Sequence, residues 1–216
     1  KPNVTKEIQL PASKFITKKN NKKKKHYICF VEGPTHLFPS RLGFATIGNE
    51  NTNSFEEFLK FYKKINIKDK KKIFYLPKKE HDINASKNLE NFIQKDQIKE
   101  SNSFNHYGKS SKLNIISYPQ TTFCESILKT PTILIYKKNK WEFNKKFHFI
   151  YKKLINHKIL FHDPVKAAHH VNKISKNIDT WWMQKRVQRT VNKFLNDISL
   201  VSKNSIKVWT RKLKAL

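Results

Sequence analysis

Cysteine, arginine, glycine and acidic side chains are all scarce in this chain of 216 residues, and each scarcity closes off a class of protein. The 2 cysteines, Cys29 and Cys124, are far apart, with neither the paired spacing of a zinc site nor the density of a disulfide framework. A reducing, cytosolic setting is the default for such a chain. Only 4 glycines are present and none builds a glycine-flanked nucleophile turn, which leaves a Ser-His-Asp hydrolase without support. Apolar runs are short pieces such as Ile133 to Tyr136, far below the ~20 residues of a membrane-spanning helix. There is no apolar signal core and no initiating Met, and the opening Lys1-Pro2-Asn3 reads as the start of a fragment.

What is abundant is lysine and bulky apolar side chains. The chain has 45 basic and 16 acidic residues, a net charge of +29; with Arg only at Arg41, Arg186, Arg189 and Arg211, the other 45 − 4 = 41 are Lys. Such a charge can serve a phosphate-rich partner by counterion release. It can equally be a solvated lysine face written by an A/T-biased genome. The shortage of Arg, the side chain suited to bidentate phosphate or guanine recognition, favours the solvated face. With 38% hydrophobic residues, including 16 Phe, 7 Tyr and 4 Trp, the chain is too apolar to be a disordered tail, and its length suits one core with appendages.

Residues 1–25, with Pro2, Pro11 and the run Lys18 to Lys25, read as an exposed connector from a preceding domain. Five short apolar runs, 27–31, 73–76, 113–117, 132–136 and 159–161, read as buried strands. Helices are predicted over Phe55 to Tyr62, capped by Ser54; weakly over Ala85 to Gln94; over Thr121 to Leu128; over Trp141 to His157; and from Pro164, capped by Asp163, through Ile174. A last helical region runs from Asp179 through Trp181, Trp182, Val187, Val191, Phe194 and Ile198, with more helix to Leu213. The repeated strand-then-helix order predicts a Rossmann-like three-layer α/β domain with a mainly parallel sheet over residues 26–176, followed by a helical extension over 177–216.

In such sheets ligands bind beyond the carboxyl ends of the strands. That directs attention to the loops beginning at Glu32, Pro77, Ser117 and Phe161, which carry Gly33, Lys78, His81 and His162. The third loop is the most informative, because Ser117, Gln120, Thr121 and Thr122 place hydroxyls and an amide at a strand end and a helix start. That combination suits a phosphate, with Glu125 one turn on as an acceptor for a sugar or ribose hydroxyl. Ordinary capping by Thr121, with Glu125 near the positive helix end, explains the same residues. His162, His169 and His170 do not converge by spacing, so no metal site is expected. Trp181 and Trp182 could stack on a base or sugar, but docking their helix on the core is the favoured role.

Several segments together resemble a family: Ile116-Ser117-Tyr118-Pro119-Gln120-Thr121-Thr122-Phe123-Cys124-Glu125, Thr130 to Leu134, Trp141-Glu142, Ile159 to Pro164, Ala167 to Asn172, and Asp179 to Trp182. Val187-Gln188 and Phe194 keep the family's spacing. The first half is similar more loosely, through Ile8 to Pro11, the lysine run, Tyr27 to Val31, Gly33 to Arg41 and Phe55 to Ile65. The family is that of the transferases encoded in bacterial surface-carbohydrate and lipopolysaccharide gene clusters, known from leptospires and many other bacteria. The resemblance implies a GT-B-type glycosyltransferase, with this chain as its C-terminal, donor-binding half. It also implies a donor site made by Ser117, Gln120, Thr121, Thr122 and Glu125. One departure stands out: the family's Arg in the second strand, before Pro, is missing from Phe74-Tyr75-Leu76-Pro77, where Lys78 or His81 could substitute.

The expected activity is sugar transfer from a nucleotide-linked donor to a carbohydrate or lipid-linked acceptor. No cofactor is expected, the nucleotide-sugar being substrate. The expected place is the cytoplasm, at the inner face of the cell membrane, with the missing N-terminal domain as partner. A lysine-rich nucleic-acid-binding or ribosome-associated protein, or an inactive fragment, is the alternative.

Overall fold

The computed structural model describes residues 26–33, 48–77, 89–99, 104–136, 145–199 and 204–215. Five strands, β1 (Ile28–Val31), β2 (Ile73–Leu76), β3 (Leu113–Ile116), β4 (Thr132–Ile135) and β5 (Leu160–Phe161), form one sheet. Its order is β2-β1-β3-β4-β5 and every pairing is parallel. The strands are runs of aliphatic and aromatic residues, and nearly all of their side chains are buried, as helices on both faces require. The expected three-layer α/β architecture is the one the chain adopts, with strand bounds shifted by no more than one residue at an end.

The helices are α1 (Gly48–Lys64), α2 (Ile67–Lys70), α3 (Thr121–Lys129), α4 (His148–Asn156), α5 (Pro164–Ile174), α6 (Ile178–Trp182), α7 (Lys185–Asp197) and α8 (Ser205–Leu213). One face of the sheet is covered by α1 and α5, the other by α3 and α4 with α7 packed across them. On the first face Phe30 meets Phe58 and Phe61 of α1 at ring centroid distances of 4.9 and 5.7 Å, and Phe58 meets Tyr75 at 4.6 Å. Such pairs add about 0.5–1.5 kcal/mol each beyond the burial of their area. Across the two helices of that layer, the Asn172 amide acts like a peptide group: Nδ2 donates to the Lys64 carbonyl at 2.8 Å, and Oδ1 accepts from the Asn66 N–H at 3.0 Å. The end of α1 is thereby tied to α5.

On the second face a buried polar chain runs through the core. Asn114 Nδ2 donates to the Gly108 carbonyl at 2.9 Å and to Ser126 Oγ at 2.8 Å, while Ser111 Oγ donates to Asn114 Oδ1 at 2.7 Å. Ser126 Oγ and Thr132 Oγ1 lie 2.7 Å apart, and Thr132 donates to the Thr130 carbonyl at 2.7 Å. Each of these side chains finds partners, so the low dielectric strengthens the network. It fixes the rotation of α3 about its axis relative to β3 and β4.

Three helix limits differ from those predicted. Ser54 lies inside α1, which begins at Gly48; its first turns carry only polar residues, so no apolar period revealed them. In the helix expected over Trp141 to His157, residues 141–144 lie outside the described residues, and the rest is a 3₁₀ turn at Lys145–Phe147 followed by α4. The last region is broken at Met183 and Gln184, where Gln184 adopts ψ 132° and opens α7 afresh. Gln188 Nε2 donates to the carbonyl of Trp182 at 2.8 Å across that break. Of the helix expected over Ala85 to Gln94, residues 85–88 lie outside the described residues, and 89–94 form a turn in which the Phe92 and Ile93 N–H groups both donate to the Leu89 carbonyl rather than a continuing helix. As predicted, Asp163 caps α5, accepting from the Val165 N–H at 2.8 Å, and Pro164 takes the first helical position.

Candidate functional site

The chain leaves β1 toward β2 on one side and, after β2, returns to place β3 on the other. Strand order therefore reverses between β1 and β3, and in doubly wound sheets a crevice opens at the carboxyl ends of such a pair. Gly33 and Ser117 stand at this point. Ser117 donates from both its backbone N–H and its Oγ to the carbonyl of Val31, at 3.3 and 3.2 Å. A Cβ on Gly33 would lie 3.0 Å from Tyr118 Cδ1 and 3.4 Å from Ser117 Oγ, so a larger residue would force the Tyr118 ring aside. Glycine here lets the two strand exits run side by side.

Tyr118 carries the link onward, since its hydroxyl lies 2.9 Å from Thr122 Oγ1 in the first turn of α3. Gln120 is the N-cap in extended conformation and makes no side-chain cap bond to the helix. Its amide and the Thr121 side chain are exposed at the helix mouth, where backbone N–H groups carry partial positive charge. Glu125 follows one turn later, half-buried. Five residues read from the sequence, Ser117, Gln120, Thr121, Thr122 and Gly33, thus come together at one place, with Glu125 bordering it. Capping by Thr121 does not account for them, because the cap position is Gln120.

His162 lies on the same edge but beside β5, two strands from β3 and so roughly 10 Å away at ordinary strand spacing. Its Nδ1 lies 2.7 Å from the Tyr136 carbonyl, which can only accept, so Nδ1 carries a proton and donates it there. His170 is elsewhere, between the rings of Phe161 and Trp181 at centroid distances of 5.5 and 5.2 Å. Burial, then the charges of Lys158 and Lys173, push its pKa down to about 4. Among the described residues no three His, Cys, Asp or Glu side chains stand close enough to share a metal ion. Lys78 and His81 lie outside the described residues.

The sequence reading did not single out Glu32 or Tyr75 as site residues. Glu32 is only 4% exposed at the end of β1, on the face it shares with Phe30, and Tyr75 is fully buried at the neighbouring position in β2. Burial pushes the Tyr75 phenol well above its ordinary pKa, and the Glu32 carboxylate beside it pushes it further. A buried carboxylate next to the strand reversal was detectable as the one acidic residue directly after an apolar strand and before Gly33. Trp181 and Trp182 are buried, and Trp181 Nε1 donates to the His157 carbonyl at 3.3 Å, so they dock α6 on the core as favoured from sequence.

No curated protein matches the chain. A family model described as LIC12162 family transferase matches residues 2–213, from the lysine-rich start through the last helix. Since that match spans the strand reversal and all five strands, the chain belongs to the LIC12162 family of transferases.

Proposed function

We propose that this chain is the donor-binding half of a GT-B-type glycosyltransferase and holds a nucleotide-linked sugar at the β1/β3 crevice. The observation that carries the reading is the meeting of hydroxyl residues with a helix start whose cap side chain makes no bond to the helix, at the point where strand order reverses. The donor diphosphate lies against the first turn of α3, receiving hydrogen bonds from its N–H groups and from Thr121, while Ser117, bonded to the Val31 carbonyl, fixes the floor beneath it. The Gln120 amide reaches the same oxygens, and Gly33 admits the ligand close to the backbone. Glu125 accepts from a ribose or sugar hydroxyl. The remaining charge is assigned to Lys78 or His81, from the sequence that follows β2, and to His162 beside β5.

In the transfer, an acceptor hydroxyl oxygen bonds to the anomeric carbon as the bond from that carbon to the donor phosphate breaks. The hydroxyl proton leaves with a base, and the leaving phosphate takes up the negative charge. A helix N-terminus already oriented toward that phosphate stabilises the charge as it forms, without reorganisation. The acceptor is a carbohydrate or a lipid-linked carbohydrate of the cell surface, and the reaction is placed at the inner face of the cell membrane.

Thermal unfolding of the chain with a panel of nucleoside diphosphates and nucleotide-sugars tests this reading. Ligand at about 100 times its dissociation constant stabilises the native state by about 2.7 kcal/mol. A rise in melting temperature that survives raised salt is expected for at least one nucleotide. Stabilisation by nucleic acid alone, lost steeply with salt, would replace the reading with the nucleic-acid alternative.

A further inference from the structure

We propose that α8 is a surface-docking helix that seats this protein on an anionic phospholipid bilayer. The helix packs weakly on the body: Ser205 is buried and Val208 half-buried, while Ile206, Trp209 and Leu213 are 76%, 43% and 51% exposed. Residues at positions 206, 209 and 213 fall within about 60° of the helix circumference, so they form one continuous apolar stripe. Lys207, Arg211 and Lys214 lie together along one flank of that stripe, all exposed. The helix is capped at its start by Asn204, whose Oδ1 accepts from the Lys207 N–H at 3.0 Å.

An apolar stripe with Trp at its middle and cations along its border is what an interfacial helix needs, its ring and aliphatic chains among the acyl boundary and its charges among phosphate headgroups. The occupant is settled by charge. A second copy of this chain would bring another +29 to the contact and be repelled, whereas an anionic leaflet attracts it. Nucleic acid would satisfy the lysines but leave Ile206 and Leu213 in water. The stripe is also well removed in sequence from the β1/β3 crevice, so the proposal does not rest on the transferase chemistry.

The test is sedimentation of the chain with phosphatidylcholine vesicles, with and without phosphatidylglycerol, at physiological salt. The native chain is expected to sediment with the anionic vesicles and to remain in the supernatant with neutral ones. Ile206→Ser with Leu213→Ser is expected to weaken partitioning about tenfold or more with an unchanged melting temperature, since the side chains removed are exposed. Lys207→Glu with Arg211→Glu is expected to do the same by charge. The proposal is overturned if both pairs sediment like the native chain, which would assign binding to lysines elsewhere, or if the native chain ignores anionic vesicles. It is equally overturned if the apolar pair abolishes a dimer or duplex nucleic-acid binding while leaving vesicle binding intact.

Discussion

At the scale of single residues, the hydroxyls at the start of α3 are not equivalent. Thr122 is held by the Tyr118 hydroxyl at 2.9 Å, whereas Thr121 is exposed at the helix mouth. Thr121→Val should therefore weaken nucleotide-sugar binding about tenfold, near the ~1.5 kcal/mol of one hydrogen bond to a charged group, while stability stays within about 0.5 kcal/mol of native. Titration calorimetry and thermal melts separate the two effects. His170 gives a second test. Its native pKa of about 4 lies below the ordinary value of 6.5, so on acidification the unfolded chain takes up the proton first. Stability should fall as pH drops from about 6.5 toward 4 and then lose no more from this group, and His170→Phe should flatten that part of the profile in melts at stepped pH. Residue chemistry was legible only where it followed local pattern. Asp163 and Pro164 announced a helix start, but the burial of His170 depends on Trp181, which reaches it only through the tertiary fold.

At the scale of elements, the polar chain through Asn114 and the docking of α6 hold the layers together. Asn114→Ala would remove three buried hydrogen bonds, those with Ser111 Oγ, the Gly108 carbonyl and Ser126 Oγ, at about 0.5–1.5 kcal/mol each, while Ser111 Oγ keeps its 2.9 Å bond to the Gly108 carbonyl. Because the same network sets the rotation of α3, affinity for the donor should fall along with stability. Urea unfolding and calorimetry on one preparation would show both. Trp182→Ala should cost about 3–5 kcal/mol, the range for large core aromatics, and an unchanged unfolding midpoint would contradict the packing assigned to α6. The strands were readable because each is a short apolar run bounded by Pro, Gly or a polar turn. The start of α1 and the break at Met183-Gln184 were not, because polar turns carry no period and both halves of the last region share one amphipathic stripe.

At the scale of the whole molecule, the short buried strands alternating with helices made a parallel three-layer fold legible from the sequence. Strand order was a different matter. The neighbours of β1 are chosen by long-range packing, and only the fold places Gly33 beside Tyr118 and puts the reversal at β1/β3. That placement brings the hydroxyl residues, which alone read as ordinary helix capping, to the strand reversal where we propose the donor binds. The lysine excess, by contrast, identifies no ligand for the strand-end site. The most direct measurement is calorimetric titration of the native chain, Thr121→Val and Gly33→Ala with a panel of nucleotide-sugars. The crevice predicts that one donor class binds the native chain, that Thr121→Val weakens it about tenfold, and that Gly33→Ala, by displacing Tyr118, weakens it as well. Equal affinity across all three proteins, or no binding by any nucleotide-sugar, would contradict it.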